Sequence, residues 1–162
     1  MSNLGTHFDP ETRERLEALA KTMDKSVPWL VADAVRRYVM DEGRVVGAIA
    51  VGLRQADAGL FTMADVVRES FSRCGVDTAQ AWTTEAWSDL QKLGSRLTAE
   101  NSRGLFQLVA ETLEMLRAAL GKSEEGRVPG TREVVMADPF CTLIYRVRGG
   151  EVQVLRIIPQ RD

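Results

Sequence analysis

Between residue 127 and residue 162 of this chain, six arginines face four acids: Arg127, Arg132, Arg146, Arg148, Arg156 and Arg161 against Glu133, Asp138, Glu151 and Asp162. Arginine presents a planar fork of donors that suits carboxylate and phosphate groups. This stretch is therefore where contact with an anionic partner, or stabilisation of charge at a phosphate, would be sought. Other chemistry is sparse. His7 is the one histidine, and no second ligand lies near it in the sequence, so no metal site is expected. No cofactor motif and no nucleophile paired with a base stand out. The two cysteines, Cys74 and Cys141, are too few for a disulfide framework and point to a reducing compartment.

The background to these residues is an ordinary globular composition, 27% charged and 44% hydrophobic, enough for one or two small domains. A net charge of -2 supports no nucleic-acid reading by itself. No stretch approaches the roughly 20 apolar residues of a membrane span, and the N-terminal residues lack a signal pattern. The expectation is a cytoplasmic protein with no membrane partner.

The elements that must carry the arginines are strands. "TREVVMA", "FCTLIYRVR" and "EVQVLRII" alternate with period two, and Gly149-Gly150 is a two-residue hairpin turn. Pairing Arg148 with Glu151 places Arg146 opposite Gln153, Tyr145 opposite Val154 and Leu143 opposite Arg156. Both faces are then mixed, and alternation alone does not select the packed one. Before the strands, an extended piece around Ala79 to Trp82 leads to Thr83, the cap of a helix with Ala86, Leu90, Leu93 and Leu97 on one face. A longer helix follows with Leu105, Leu108, Val109, Leu113, Leu116 and Leu120, ending before Gly121. This order predicts a small α+β domain with a helix hairpin on one face of an antiparallel sheet.

The first half reads differently. Asp9 before Pro10, with Glu11 following, starts a helix carrying Leu16, Leu19, Ala20 and Met23. After the break Asp24-Lys25-Ser26, Ser26 caps a second helix with Val27, Leu30, Val31, Ala34, Val35, Tyr38 and Val39 on its stripe. About 40 residues with two such stripes cannot bury enough surface alone, so a second copy is expected to complete the core. Val45, Val46, Ile49 and Leu53 continue as a connector helix that Ala58-Gly59 ends. "TMAD", Thr62 to Asp65, matches a capping box opening a short helix with Val66, Val67, Phe71 and Cys74 on its apolar side and Gly75 as its stop.

The first of these halves, in "DPETRERLEALA", "DKS" and "SVPWLVADAVRRYV" behind an extended Asn3 to Phe8, resembles the ribbon-helix-helix family of DNA-binding antitoxins and repressors (CopG/ParD-like). That resemblance implies a homodimer or higher homo-oligomer on operator DNA, with paired strands in the major groove. Alternation would turn Asn3, Gly5 and His7 to the groove, while Ser26 and Val27 at a helix N-terminus, with Lys25, would hold phosphates. The second half, strongest in "WTTEAWSDL", "GRVPGTRE" and "LIYRVRGGEVQVLRI", is similar to the RelE/ParE toxin superfamily over Ala79 to Asp162.

Together the two resemblances imply an antitoxin joined to a toxin: residues 1–43 a ribbon-helix-helix domain, 44–77 a connector and toxin-neutralising arm (Val66, Val67, Phe71), and 78–162 the toxin-like domain. In the ribosome-dependent nucleases of that superfamily a basic residue is expected two before "Leu-Ile", where this chain has Phe140-Cys141-Thr142. "IIPQRD" also lacks a terminal His or Tyr. The resemblance therefore favours the ParE branch, implicated in binding DNA gyrase without catalytic residues, with Arg127, Arg132, Arg146, Arg156 and Arg161 as target-contact candidates. An mRNA interferase of RelE type and a regulator with an inactive toxin half stay open. Because only Cys74-Gly75-Val76-Asp77 joins the arm to the toxin-like half, the arm is expected to bury Val67 and Phe71 on the partner chain's domain or on the near edge of its own.

Overall fold

The computed structural model describes residues 7–78, 80–120, 122–137 and 140–160. They fall into two compact units, Met1–Arg44 and Val45–Asp162.

In the first unit, α1 (Pro10–Met23) starts where the Asp9 side chain accepts the Thr12 amide at 2.9 Å. It ends at Asp24, which takes a left-handed conformation (φ 53°) while its amide and that of Lys25 return to the last carbonyls of the helix. The Ser26 hydroxyl then accepts the Trp29 amide at 3.2 Å at the start of α2 (Val27–Asp57). Only Ala20 and Leu30 are buried among the described residues of this unit, and Leu19, Met23, Trp29, Val35, Tyr38, Val39 and Met40 are exposed. Two helices have no other face on which to bury such side chains.

α2 runs unbroken for 31 residues. It passes through residues 43 and 44, where the sequence reading divides a DNA-binding domain from a connector, because Gly43 alone does not stop a helix.

The second unit holds the end of α2, then α3 (Ala64–Ser72), β1 (Ala81–Trp82), α4 (Thr84–Ser95), α5 (Ala99–Ala118), β2 (Arg132–Ala137), β3 (Phe140–Arg148) and β4 (Glu151–Pro159). The sheet order is β1-β4-β3-β2, with β1 parallel to β4 and the other pairs antiparallel. The short extended piece thus joins the sheet as a fourth strand. Gly149 and Gly150 both have positive φ, 60° and 78°, the backbone a two-residue hairpin requires.

The α4–α5 hairpin lies on one face of the sheet, as expected, and the end of α2 covers the other; the sheet is mixed where an antiparallel one was expected, because β1 runs parallel to β4. Leu143, Tyr145, Val152, Val154 and Ile157 pack with Leu90 of α4, Leu105, Val109 and Leu113 of α5, and Phe71 of α3. Ile144 and Leu155, on the other side, pack with Ile49 and Ala56 of α2. Each fully buried aliphatic side chain of this kind stabilises the fold by about 1.5–3 kcal/mol.

The expected register holds for Tyr145 and Val154 and slips beyond them: Ile144 lies opposite Arg156 and Leu143 opposite Ile157, across a bulge between Ile144 and Tyr145. The extra residue is held by the start of α4. The Thr83 amide and hydroxyl reach the Val154 and Leu155 carbonyls at 3.1 and 2.9 Å, and Asp89 accepts the Ile157 amide at 3.1 Å. Through the bulge, Leu155 serves one face and Ile157 the other.

The capping box expected at Thr62–Asp65 does not form. α3 begins after Met63 without a side-chain cap, and the Thr62 amide instead donates to the Trp82 carbonyl at 2.8 Å. A tertiary bridge between Phe61 and Thr83 fixes this segment and overrides its local signal.

Candidate functional site

The arginines of β3 and β4 meet the end of α2. Arg146 is 9% exposed; its Nη1 donates to an Asp57 carboxylate oxygen at 2.6 Å and its Nε to Gln153 at 2.7 Å. Arg148 reaches the same Asp57 oxygen at 3.4 Å. The Arg146 hydrogen bond, with the charges of Arg146 and Arg148 adding to it, holds the Asp57 carboxyl below its ordinary value of 3.8 against a smaller desolvation effect.

Arg156 is clamped more tightly. Its Nε and Nη2 bind the two Asp89 oxygens at 2.7 and 2.9 Å, Glu85 lies at 3.8 Å, and its Nη1 donates to the Ala48 carbonyl of α2 at 3.2 Å. Arg127 forms a fork on Glu133 at 2.8 and 3.1 Å and also donates its amide to it. Those bonds keep the Glu133 carboxyl below its ordinary value although burial works to raise it. Arg132 donates to the Ser123 carbonyl and hydroxyl, beside a concavity of about 490 Å³ that Glu125, Thr131 and Val147 also line. Arg161 lies outside the described residues. Four of the five target-contact candidates thus hold partners within the chain, and two of them, Arg146 and Arg156, hold partners on α2.

The close fit of α2 on the sheet depends on Gly52. A Cβ added there would overlap the Leu155 carbonyl oxygen and lie 3.2 Å from the Arg156 side chain. Gly52, Asp57, Ile49, Ala56 and Asp89 were not singled out from the sequence as site residues. Nothing local marks Gly52, because Gly43 and Gly47 lie in the same helix and a Cβ at either would meet nothing within 4 Å.

The arm expected at α3 divides. Val67 and Phe71 are 2% and 0% exposed, packed on the same chain's domain, whereas Val66 is 43% exposed and points away from that core. Phe71 lies 5.0 Å from the Phe106 ring, edge-on, 5.8 Å from Trp82 and 6.1 Å from Trp87.

Among the residues expected to touch DNA, Asn3 and Gly5 lie outside the described residues, and His7 is exposed without regular structure. Lys25, Ser26 and Val27 stand together at the start of α2, with Lys25 Nζ 5.1 Å above the Trp29 ring. At the position where a nuclease of the resembled superfamily would carry a basic residue, Cys141 and Thr142 are buried. Burial pushes the Cys141 thiol up to about 11. The Thr142 hydroxyl accepts from Gln160 at 2.9 Å. No group of three or more potential metal ligands is gathered among the described residues, and no helix there is long and apolar enough to cross a membrane.

Comparison with known proteins adds the following. Residues 81–162 match the family described as "ParE toxin of type II toxin-antitoxin system, parDE". No curated protein matches the chain. A solved structure, "Chromosomal ParDE TA system from P. aeruginosa", is 28% identical, covers 49% of this chain and 92% of that one, and has a TM-score of 0.43. The family match begins at β1, runs through the helix pair and the three antiparallel strands, and takes in just over half of the sequence, so the chain belongs to the ParE toxin family of type II toxin-antitoxin systems.

Proposed function

We propose that this chain is an antitoxin and its toxin in one polypeptide. Its first 43 residues are a ribbon-helix-helix unit that dimerises, binds operator DNA and represses transcription. The end of α2 and all of α3 are the neutralising segment, and the ParE domain is a gyrase-inhibiting binder that needs no catalytic residue. The observation that carries this reading is the covering of the toxin domain on both faces by elements that precede it. Asp57 and the Ala48 carbonyl occupy Arg146, Arg148 and Arg156 on one side, and Phe71 enters the aromatic cluster of Trp82, Trp87 and Phe106 on the other.

The DNA-binding half has separate support. A first unit whose described residues bury only Ala20 and Leu30, and leave Val35, Tyr38 and Val39 exposed, needs a second copy to make a core. The start of α2, where Lys25 stands beside the positive end of the helix, has the chemistry of a phosphate contact, although Pro28 carries no N–H and the Ser26 hydroxyl takes the Trp29 amide.

Light scattering of the whole chain together with a gel shift on its own upstream DNA tests this half. The expected result is a dimer or larger species whose affinity falls steeply with salt, and a Lys25→Ala chain whose logarithmic salt slope is smaller by about one unit. A monomer indifferent to that DNA would remove the repressor role.

A further inference from the structure

The sheet face beneath α2 has unlike parts that one ligand must satisfy together. Ile144 and Leu155 form an apolar floor, fully buried under Ile49 and Ala56. Arg146 and Arg148 stand beside it, and both reach one carboxylate, that of Asp57. At the centre the occupying helix comes so close that only a residue without Cβ fits, at Gly52. What now fills the face is therefore an apolar helix side with a small residue in its middle and a carboxylate in its last turn, a set of residues at 49, 52, 56 and 57 that share one side of a helix.

We propose that this face is the docking surface for the toxin domain's target, and that the target is a protein presenting an amphipathic helix with a carboxylate in its last turn, as α2 does now. The inference rests on reading Val45–Asp57 as part of the neutralising segment and deepens that reading by naming the partner's chemistry. α2 holds the toxin silent by competing for the site, and its covalent tether gives it a high effective concentration there. Charge complementarity selects the partner. Two arginines converge on one acidic group at the edge of an apolar floor, which suits a helix with a single well-placed carboxylate. A phosphate backbone would call for basic groups spaced along a groove, and Arg156, the next arginine, is already committed to Asp89.

The test uses the full chain carrying Gly52→Val, in which the new side chain meets the Leu155 carbonyl and lifts α2 from the sheet. Asp57→Arg, which sets a like charge against Arg146 and Arg148 without adding a side chain between α2 and the sheet, serves as a second opening variant where Gly52→Val fails to fold. The probes are a fluorescent peptide of the sequence Val45–Ala58, the same peptide with Asp57→Asn, and a single-stranded oligodeoxynucleotide as competitor. The expected result is saturable binding of the first peptide and binding about five- to tenfold weaker for the second, the loss of one charge-assisted hydrogen bond. A comparable loss is expected when Arg148→Glu is added to the chain, and no displacement by the oligonucleotide. Equal affinity for the two peptides, or displacement by the oligonucleotide, overturns the proposal. In growing cells, arrest caused by the Gly52→Val chain should disappear when Arg148→Glu is added, and arrest that persists overturns it too. If the opened chain arrests nothing, the neutralised-toxin reading fails, and the peptide titration decides the docking proposal by itself.

Discussion

Phe71→Ala probes whether α3 belongs to the core of the ParE domain or only rests against it. The side chain is completely buried, and three aromatic rings stand around it at centroid distances of 5.0, 5.8 and 6.1 Å. Truncating a buried phenylalanine costs about 3–5 kcal/mol, and the figure is larger where the hole cannot collapse. Rigid rings packed edge-on to one another close a hole poorly, and the lost edge-to-face contact with Phe106 adds to the loss. The upper part of the range, about 4–5 kcal/mol, is therefore expected.

The unit from residue 45 to 162 contains 118 residues, counted inclusively. At that size each kcal/mol moves the melting temperature by about 3–4 °C, so the fall is about 12–20 °C. Urea unfolding followed by tryptophan fluorescence gives the free energy, and a thermal melt checks it. Val66→Ala, on the exposed side of the same helix, should change stability by no more than about 0.5 kcal/mol. A loss below about 1 kcal/mol for Phe71→Ala would show that the domain keeps its core without α3, and the reasoning would fall.

Further outcomes follow from other contacts. Asp89→Ala leaves Arg156 largely buried and without its fork of two hydrogen bonds, so a loss of about 3 kcal/mol or more is expected in urea unfolding; a loss under 1 kcal/mol would mean that the pair is dispensable. Because the Asp57 carboxyl titrates lower in the folded chain than its ordinary 3.8, its contribution is fully present above that value and is lost as pH falls through the folded one. Protection from hydrogen exchange at the end of α2, taken relative to the intrinsic rate at each pH, should therefore fall on acidification in the native chain and lose that component in Asp57→Asn; identical profiles would contradict the assignment. With its thiol raised to about 11 by burial, Cys141 should resist a thiol reagent at pH 8 until the protein unfolds, while the partly buried Cys74 reacts sooner; two thiols reacting at once in the folded state would refute this.

Much of the ParE fold can be read from local pattern. The Gly149-Gly150 turn, the Thr83 cap and the period-two strands each have a short-range cause, and each stands as expected. The register slip at Ile144 could not be read, because the bulge carries no glycine or proline and is set by Thr83 and Asp89, both distant in sequence. The same holds for "TMAD", where a bond to Trp82 outweighs a capping signal. The site was legible in halves. Arg146 and Arg156 stood out by type, but nothing local says that Asp57 is the partner of Arg146, 89 residues away. Gly52 looks in the sequence like Gly43 and Gly47 of the same helix, and its role appears only with Leu155 beside it.

The most direct test of the account is growth of bacterial cells expressing the full chain, native or Gly52→Val, side by side. A toxin domain held silent by its own α2 predicts unimpaired growth with the native chain and arrest with the variant. Unimpaired growth with both, while hydrogen exchange shows the end of α2 displaced in the variant, would contradict it.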